Sequence, residues 1–153
     1  MKGVSELLLK YTTITVRVGL GIVFLYSSAD KILDPAGFAQ IVANYRLLPT
    51  ALANATAVVL PWIEAICGLA LVTGRFEKGA ALLVSLMMVL FTGLVLLNAY
   101  RGLNIACGCF SLSAREPSNL AVNTLRNLAL LAAALWVLYG PKREWLPPAQ
   151  NRL

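Results

Sequence analysis

Apolar residues along this chain gather into four long runs separated by short polar stretches. The first spans 11–29 and is broken only by Arg17. The second spans 50–73 and is broken only by Glu64. The third covers 79–100 without a single charge, and the fourth covers 118–139 with Arg126 inside it. A helix that crosses a bilayer needs about 20 predominantly apolar residues, and each run meets that length. The pattern predicts an all-α protein: an integral membrane four-helix bundle forming a single domain over residues 1–153. No internal repeat, low-complexity tract or soluble domain is evident once the runs are set aside.

Between the first and second runs lies a shorter pattern. Asp34-Pro35 is a helix-start signal, with Asp as the N-cap and Pro at the first helical position. Phe38, Ile41, Val42 and Tyr45 then recur at helical spacing, and Pro49 closes the segment after Leu47-Leu48. This predicts a short amphipathic helix lying at the outer membrane interface. It can pack over the bundle as a plain loop helix, or it can act as a lid on the bundle's mouth.

Composition sharpens the class. Hydrophobic residues make up 59% of the chain and charged residues 13%, with a mean hydropathy of +0.75. A soluble domain carries about 25% charged residues, so a soluble globule and a disordered tail are both excluded. The formal net charge of +6 is explained by topology. Lys2, Lys10, Arg75, Lys78, Lys142, Arg143 and Arg152 fall on one side of four spans, and Lys31, Arg46, Arg101 and Arg115 on the other. The excess of basic residues places both termini in the cytoplasm of a bacterial inner membrane and the two longer loops in the periplasm. Nucleic-acid binding would need a basic soluble face, which the pattern does not provide. Lys2 and Lys10 precede an apolar stretch, but Arg17 interrupts it and no small-x-small cleavage pattern follows before Asp30, so the first run reads as a retained helix.

The chain contains no histidine, which removes the commonest general base and the commonest metal ligand. No metal site is expected. The chemical lead is Cys107-Gly108-Cys109 in the third loop. Two cysteines separated by a glycine can approach disulfide geometry. So small a ring should be strained, and strained exposed disulfides exchange readily. Arg101 and Arg115 lie nearby in sequence and would favour the thiolate, the nucleophile of exchange. Cys107 and Cys109 are therefore the candidate catalytic residues. A structural clip is the plainer reading, although an i,i+2 bridge closes almost no loop and stabilises little. Cys67, mid-span beside Ile66 and Gly68, reads as a small apolar core residue.

Arg17, Glu64 and Arg126 each place a charge within a span, at an insertion cost of roughly 2.5–3.5 kcal/mol apiece. They are expected to face the bundle interior, with Glu64 bridging the two arginines. Pro61-Trp62 next to Glu64 should kink that helix and free backbone groups. The cluster supports two readings: an ionic clasp that fixes helix neighbours, or a polar site for a quinone head group or a proton path, with Glu64, Arg17, Arg126 and Trp62 as cofactor-binding candidates. Gly19, Gly21, Gly68 and Gly93 offer small faces for close helix packing.

Several stretches carry a family resemblance: Arg17-Val18-Gly19-Leu20-Gly21, Lys31-Ile32-Leu33-Asp34-Pro35 through Phe38 to Asn44-Tyr45-Arg46-Leu47-Leu48-Pro49, Leu60-Pro61-Trp62-Ile63-Glu64, and Cys107-Gly108-Cys109-Phe110. In order and spacing they resemble the MauE-like branch of the DoxX-related membrane proteins over nearly the whole chain. The resemblance implies a four-helix bundle reminiscent of quinone-linked, disulfide-forming membrane proteins. It also implies a part in maturing the disulfide-rich subunit of periplasmic methylamine dehydrogenase, alongside a thioredoxin-like partner. Ser111 stands where relatives often have glycine. No second outer cysteine pair is present, which points to a thiol pair supplied by another protein, either thioredoxin-like or a cysteine-rich client. The chain is then an inner-membrane thiol–disulfide oxidoreductase or the membrane partner of one. The alternative is a non-catalytic assembly or anchoring subunit of a respiratory or quinone-reducing complex. A small transporter is a weaker option, since no inverted repeat is evident.

Overall fold

The computed structural model describes residues 2–102 and 120–140. Five helices form among them: α1 (Lys2–Leu33), α2 (Pro35–Asn44), α3 (Thr50–Thr73), α4 (Glu77–Tyr100) and α5 (Leu120–Tyr139). Four of them, α1, α3, α4 and α5, are long and apolar enough to cross a membrane. The second run coincides with α3, and the third and fourth runs with α4 and α5 to within two residues. The first differs: α1 continues past residue 29 and carries Lys31 inside the helix rather than in the following loop.

Gly21 packs against Gly68 and Val72, and Leu25 against Gly68, so α1 and α3 run antiparallel. A Cβ on Gly21 would meet Val72 Cγ2 at 2.7 Å and the Gly68 carbonyl oxygen at 2.8 Å. Glycine at both positions is what lets the two backbones approach, the usual device of membrane helices. Gly19 and Gly93 have no such neighbour within 4 Å. Contacts at the far end of α1 orient the other two spans. Arg17 meets Glu77 at the start of α4, and the Trp136 indole N–H near the end of α5 donates to Thr13 Oγ1 at 3.3 Å. Hence α1 and α4 run one way and α3 and α5 the other. The start of α1, the α3–α4 turn and the end of α5 share one end of the bundle. The end of α1, α2, the start of α3 and the residue 103–119 connection between α4 and α5 share the opposite end.

Local signals end these helices where the sequence places them. Gly74 closes α3 in the left-handed region, φ 73°, with its N–H bonded to the Ala70 carbonyl at 2.9 Å. Asp34 caps α2 by accepting the Gly37 N–H at 2.9 Å, with Pro35 opening the helix. Phe38 is the residue α2 buries, and the helix packs chiefly on α3. The short helix predicted from the Asp-Pro signal is therefore present. The kink expected at Pro61 does not end the helix: Thr50–Thr73 is one continuous helix with Pro61 buried inside it.

The core of the bundle divides in two along its length. Towards the start of α1 it is apolar: Leu20, Phe24, Leu71, Ala80, Ala81, Val84, Met88, Ala134 and Val137 form one buried cluster. The buried Ser85 in this half donates to the Ala81 carbonyl of its own helix at 2.7 Å. Towards the opposite end the interior turns polar, with Ser27, Ser28, Lys31, Glu64, Asn98, Asn123 and Asn127 all buried.

Candidate functional site

At the centre of the polar half, the Lys31 ammonium donates to both carboxylate oxygens of Glu64, each at 2.7 Å. Both side chains are 2% exposed. Helix direction explains the meeting. Every Cα–Cβ bond leans towards its own helix N-terminus, so on antiparallel α1 and α3 these two side chains lean towards one another. The Phe38 ring of α2 stands 5.1 Å from the ammonium, and the Phe91 ring of α4 stands 6.0 Å away. Both faces are within reach of a cation–π attraction. A buried charge persists only when paired and hydrogen-bonded, and here the two carboxylate bonds and two aromatic faces replace lost hydration.

Glu64 therefore does not join Arg17 to Arg126, as the sequence suggests, because Lys31 reaches it first. Arg17 lies on the other half of the bundle, where its Nη1 donates to Glu77 Oε2 at 2.8 Å and its guanidinium crowds Gly74. That pair sits nearer water, with side chains 5% and 21% exposed. Arg126, half-buried on α5, donates from Nη2 to Asn123 Oδ1 at 3.3 Å. Trp62 is 57% exposed and faces away from the interior. Of the four residues the sequence grouped around a head group, Glu64 alone is buried at the centre of the polar half, while Arg126 is half-buried on α5. Cys67 lies one helical turn from Glu64 and is buried in the apolar cluster as a small core residue. At the C-cap of α2, partial burial pushes the Tyr45 phenol above its ordinary pKa.

Two further residues were not singled out from the sequence. Asn98 on α4 and Asn127 on α5 are 3% and 0% exposed, and in both the amide nitrogen and oxygen lack a hydrogen-bond partner. Leaving such an amide dry and unpaired costs roughly 1–3 kcal/mol, and lipid offers no relief. The signal for Asn127 is spacing: with Asn123, Ala134 and Val137 it occupies the buried stripe of α5, so a polar residue there points into the core. Lys31 was missed because the first apolar run stops before it. Cys107, Cys109 and Arg115 lie outside the described residues, while Arg101 forms the C-cap of α4.

A family model described as methylamine utilisation protein MauE matches residues 9–140. Three curated proteins, each called methylamine utilization protein MauE, are similar to the chain. The one from Paracoccus denitrificans is 31% identical over 81% of this chain and 67% of its own length. That from Methylophilus methylotrophus is 32% identical over 80% and 65%, and that from Methylorubrum extorquens 36% identical over 86% and 73%. The chain thus spans about two thirds of the length of the first two relatives. No solved structure matches it. Four apolar spans in antiparallel order and a family match across nearly all of them agree: the chain is a multi-pass membrane protein that belongs to the MauE family.

Proposed function

We propose that this protein takes part in thiol–disulfide exchange that matures periplasmic proteins, with Cys107 and Cys109 as the exchanging pair. The observation that carries the reading is the Cys-Gly-Cys sequence in the connection between two membrane helices, α4 and α5. Similarity to proteins named for methylamine utilization supports an accessory role in that system. In the step itself, a thiolate of the partner attacks one sulfur of the Cys107–Cys109 disulfide, and the other sulfur leaves as a thiolate. A second partner thiol then attacks the mixed disulfide, so the partner is oxidised and the Cys107/Cys109 pair reduced. The partner is a periplasmic thioredoxin-like protein or a cysteine-rich client, and a membrane quinone is the class of carrier that resets the pair. The excess of basic residues at the start of α1 and the α3–α4 turn supports cytoplasmic termini in the inner membrane.

Trapping tests the exchange. In the Cys109→Ser or the Cys107→Ser protein the remaining thiolate should attack the disulfide of an oxidised periplasmic partner, releasing one partner thiolate and leaving a mixed disulfide resolvable by non-reducing electrophoresis. If neither variant traps one, and client disulfides form at the wild-type rate, the bundle is a non-catalytic assembly subunit. In that case it should co-purify with its complex after loss of both thiols. A membrane-impermeant thiol reagent should label the reduced pair from the periplasmic face, and labelling only after lysis reverses the orientation.

A further inference from the structure

We infer that the polar half of the bundle interior is the seat of a quinone head group, with Asn127 on α5 and Asn98 on α4 as the amides that hold it. The inference rests on the exchange reading, because a dithiol becomes a disulfide only by giving up two electrons and two protons. A quinone takes up that number of each and becomes a quinol.

Three observations point to this half. Its buried Ser, Asn, Lys and Glu side chains gather in the half towards the α4–α5 connection, which carries Cys107 and Cys109, whereas the opposite half is mainly Leu, Phe, Val, Met and Ala, with the buried Arg17 and Ser85 each hydrogen-bonded there. The amides of Asn98 and Asn127 are buried with their nitrogens and oxygens unmatched. An amide Nδ2 can donate to a quinone carbonyl, and the Oδ1 of the same group can accept from a quinol hydroxyl. The unmet capacity therefore serves the oxidised and the reduced ring alike. Depth agrees as well. Phe91, whose ring faces the Lys31 ammonium, lies roughly 13 Å below the end of α4, and Asn127 roughly 10 Å below the start of α5, at 1.5 Å per residue. Asn127 and Phe91 thus lie at comparable depths from their helix ends, and Asn98 lies nearer the end of α4. Both amides lie in the interior with hydrogen-bonding capacity unmet, so a ring admitted there gains bonds without displacing any already made. The site keeps Glu64's half of the bundle from the grouping suggested by the sequence but not Arg17, which lies in the other half, or Trp62, which faces outward.

The test uses the full chain in lipid nanodiscs, with decylubiquinone and a short-chain menaquinone as probes. Binding is read by quenching of intrinsic fluorescence, and thermal unfolding is measured with and without the probe. The wild type should bind one of the probes and unfold at a higher temperature in its presence. Asn127→Leu should weaken binding at least ten-fold and, with no quinone added, unfold at a higher temperature than the wild type, because an unmatched amide has left an apolar environment. Asn98→Leu should shift both readouts in the same directions by less. A stability gain with unchanged affinity overturns the inference, since a merely structural role behaves that way. If Asn127→Leu does not fold, Asn127→Ser, smaller and still polar, should weaken binding in its place, and unchanged affinity there overturns the inference too. A wild type that traps a mixed disulfide yet binds neither quinone overturns the site and leaves exchange standing. Quinone binding lost in Asn127→Leu, in a protein that never traps a partner, supports the site and removes exchange.

Discussion

The two ends of this bundle each hold an ion pair, and the pairs are built for different surroundings. Arg17–Glu77 sits where the apolar half meets the membrane boundary, beside the α3–α4 turn, with Glu77 partly open to water. Lys31–Glu64 is shut inside the polar half, bonded through both carboxylate oxygens and walled by Phe38 and Phe91. The first behaves as a boundary clasp that tethers α1 to the α3–α4 turn. The second is costly to maintain in a low-dielectric interior, and apolar residues of similar volume would often serve stability as well or better. Placing it in the half that also holds the unmatched amides of Asn98 and Asn127 gathers most of the buried polar side chains where the cysteine-bearing connection begins. A fold shaped for stability alone would spread them out or leave them out.

The largest expected effect comes from breaking the shut-in pair. Lys31→Ala or Glu64→Ala leaves one charge buried alone and should destabilise the bundle by roughly 3–5 kcal/mol, measured as loss of thermal stability in nanodiscs. Replacing both with Met should recover most of that loss. If the double variant is as unstable as either single one, the pair contributes more to stability than the comparison allows. Next in size is the close approach of α1 and α3. Gly68→Leu drives a side chain into the Gly21 carbonyl and Leu25, and should cost about 1–3 kcal/mol by overpacking. The smallest effect should come from the clasp at the boundary. Arg17→Ala should cost less than either Lys31 or Glu64 truncation, because the Glu77 left behind keeps contact with solvent, and the wild-type contribution should shrink as salt is raised. The Lys31–Glu64 contribution should hardly respond to salt, and a matching response in both pairs would erase the difference between the two ends.

Legibility in the sequence followed the range of the physics involved. Glu64 was recognisable as an interior charge because a lone carboxylate in an apolar run must face protein rather than lipid. Its partner was not, because Lys31 lies only a few residues past the apolar run and reads as part of a loop. The side chain's lean towards the helix N-terminus and its long aliphatic stem bring the ammonium back inside. Asn98 and Asn127 were passed over for a related reason: asparagine barely interrupts a hydropathy run, and its cost appears only when the fold leaves it without a partner. Cys107 and Cys109 were legible as chemistry through their spacing alone.

By itself, the sequence determined the number of spans, their lengths to within a few residues except at the two ends of α1, and the short helix between the first two. Those features depend on local periodicity, the Asp-Pro cap and the length of a bilayer crossing, all of which act within a few turns of chain. Only the tertiary structure decided which charge answers which, that Trp62 faces outward, and that the core is polar at one end and apolar at the other. Those depend on the antiparallel register of α1 and α3, set by the meeting of Gly21 with Gly68. A contact between residues so far apart in the chain leaves no trace in the periodicity of either helix.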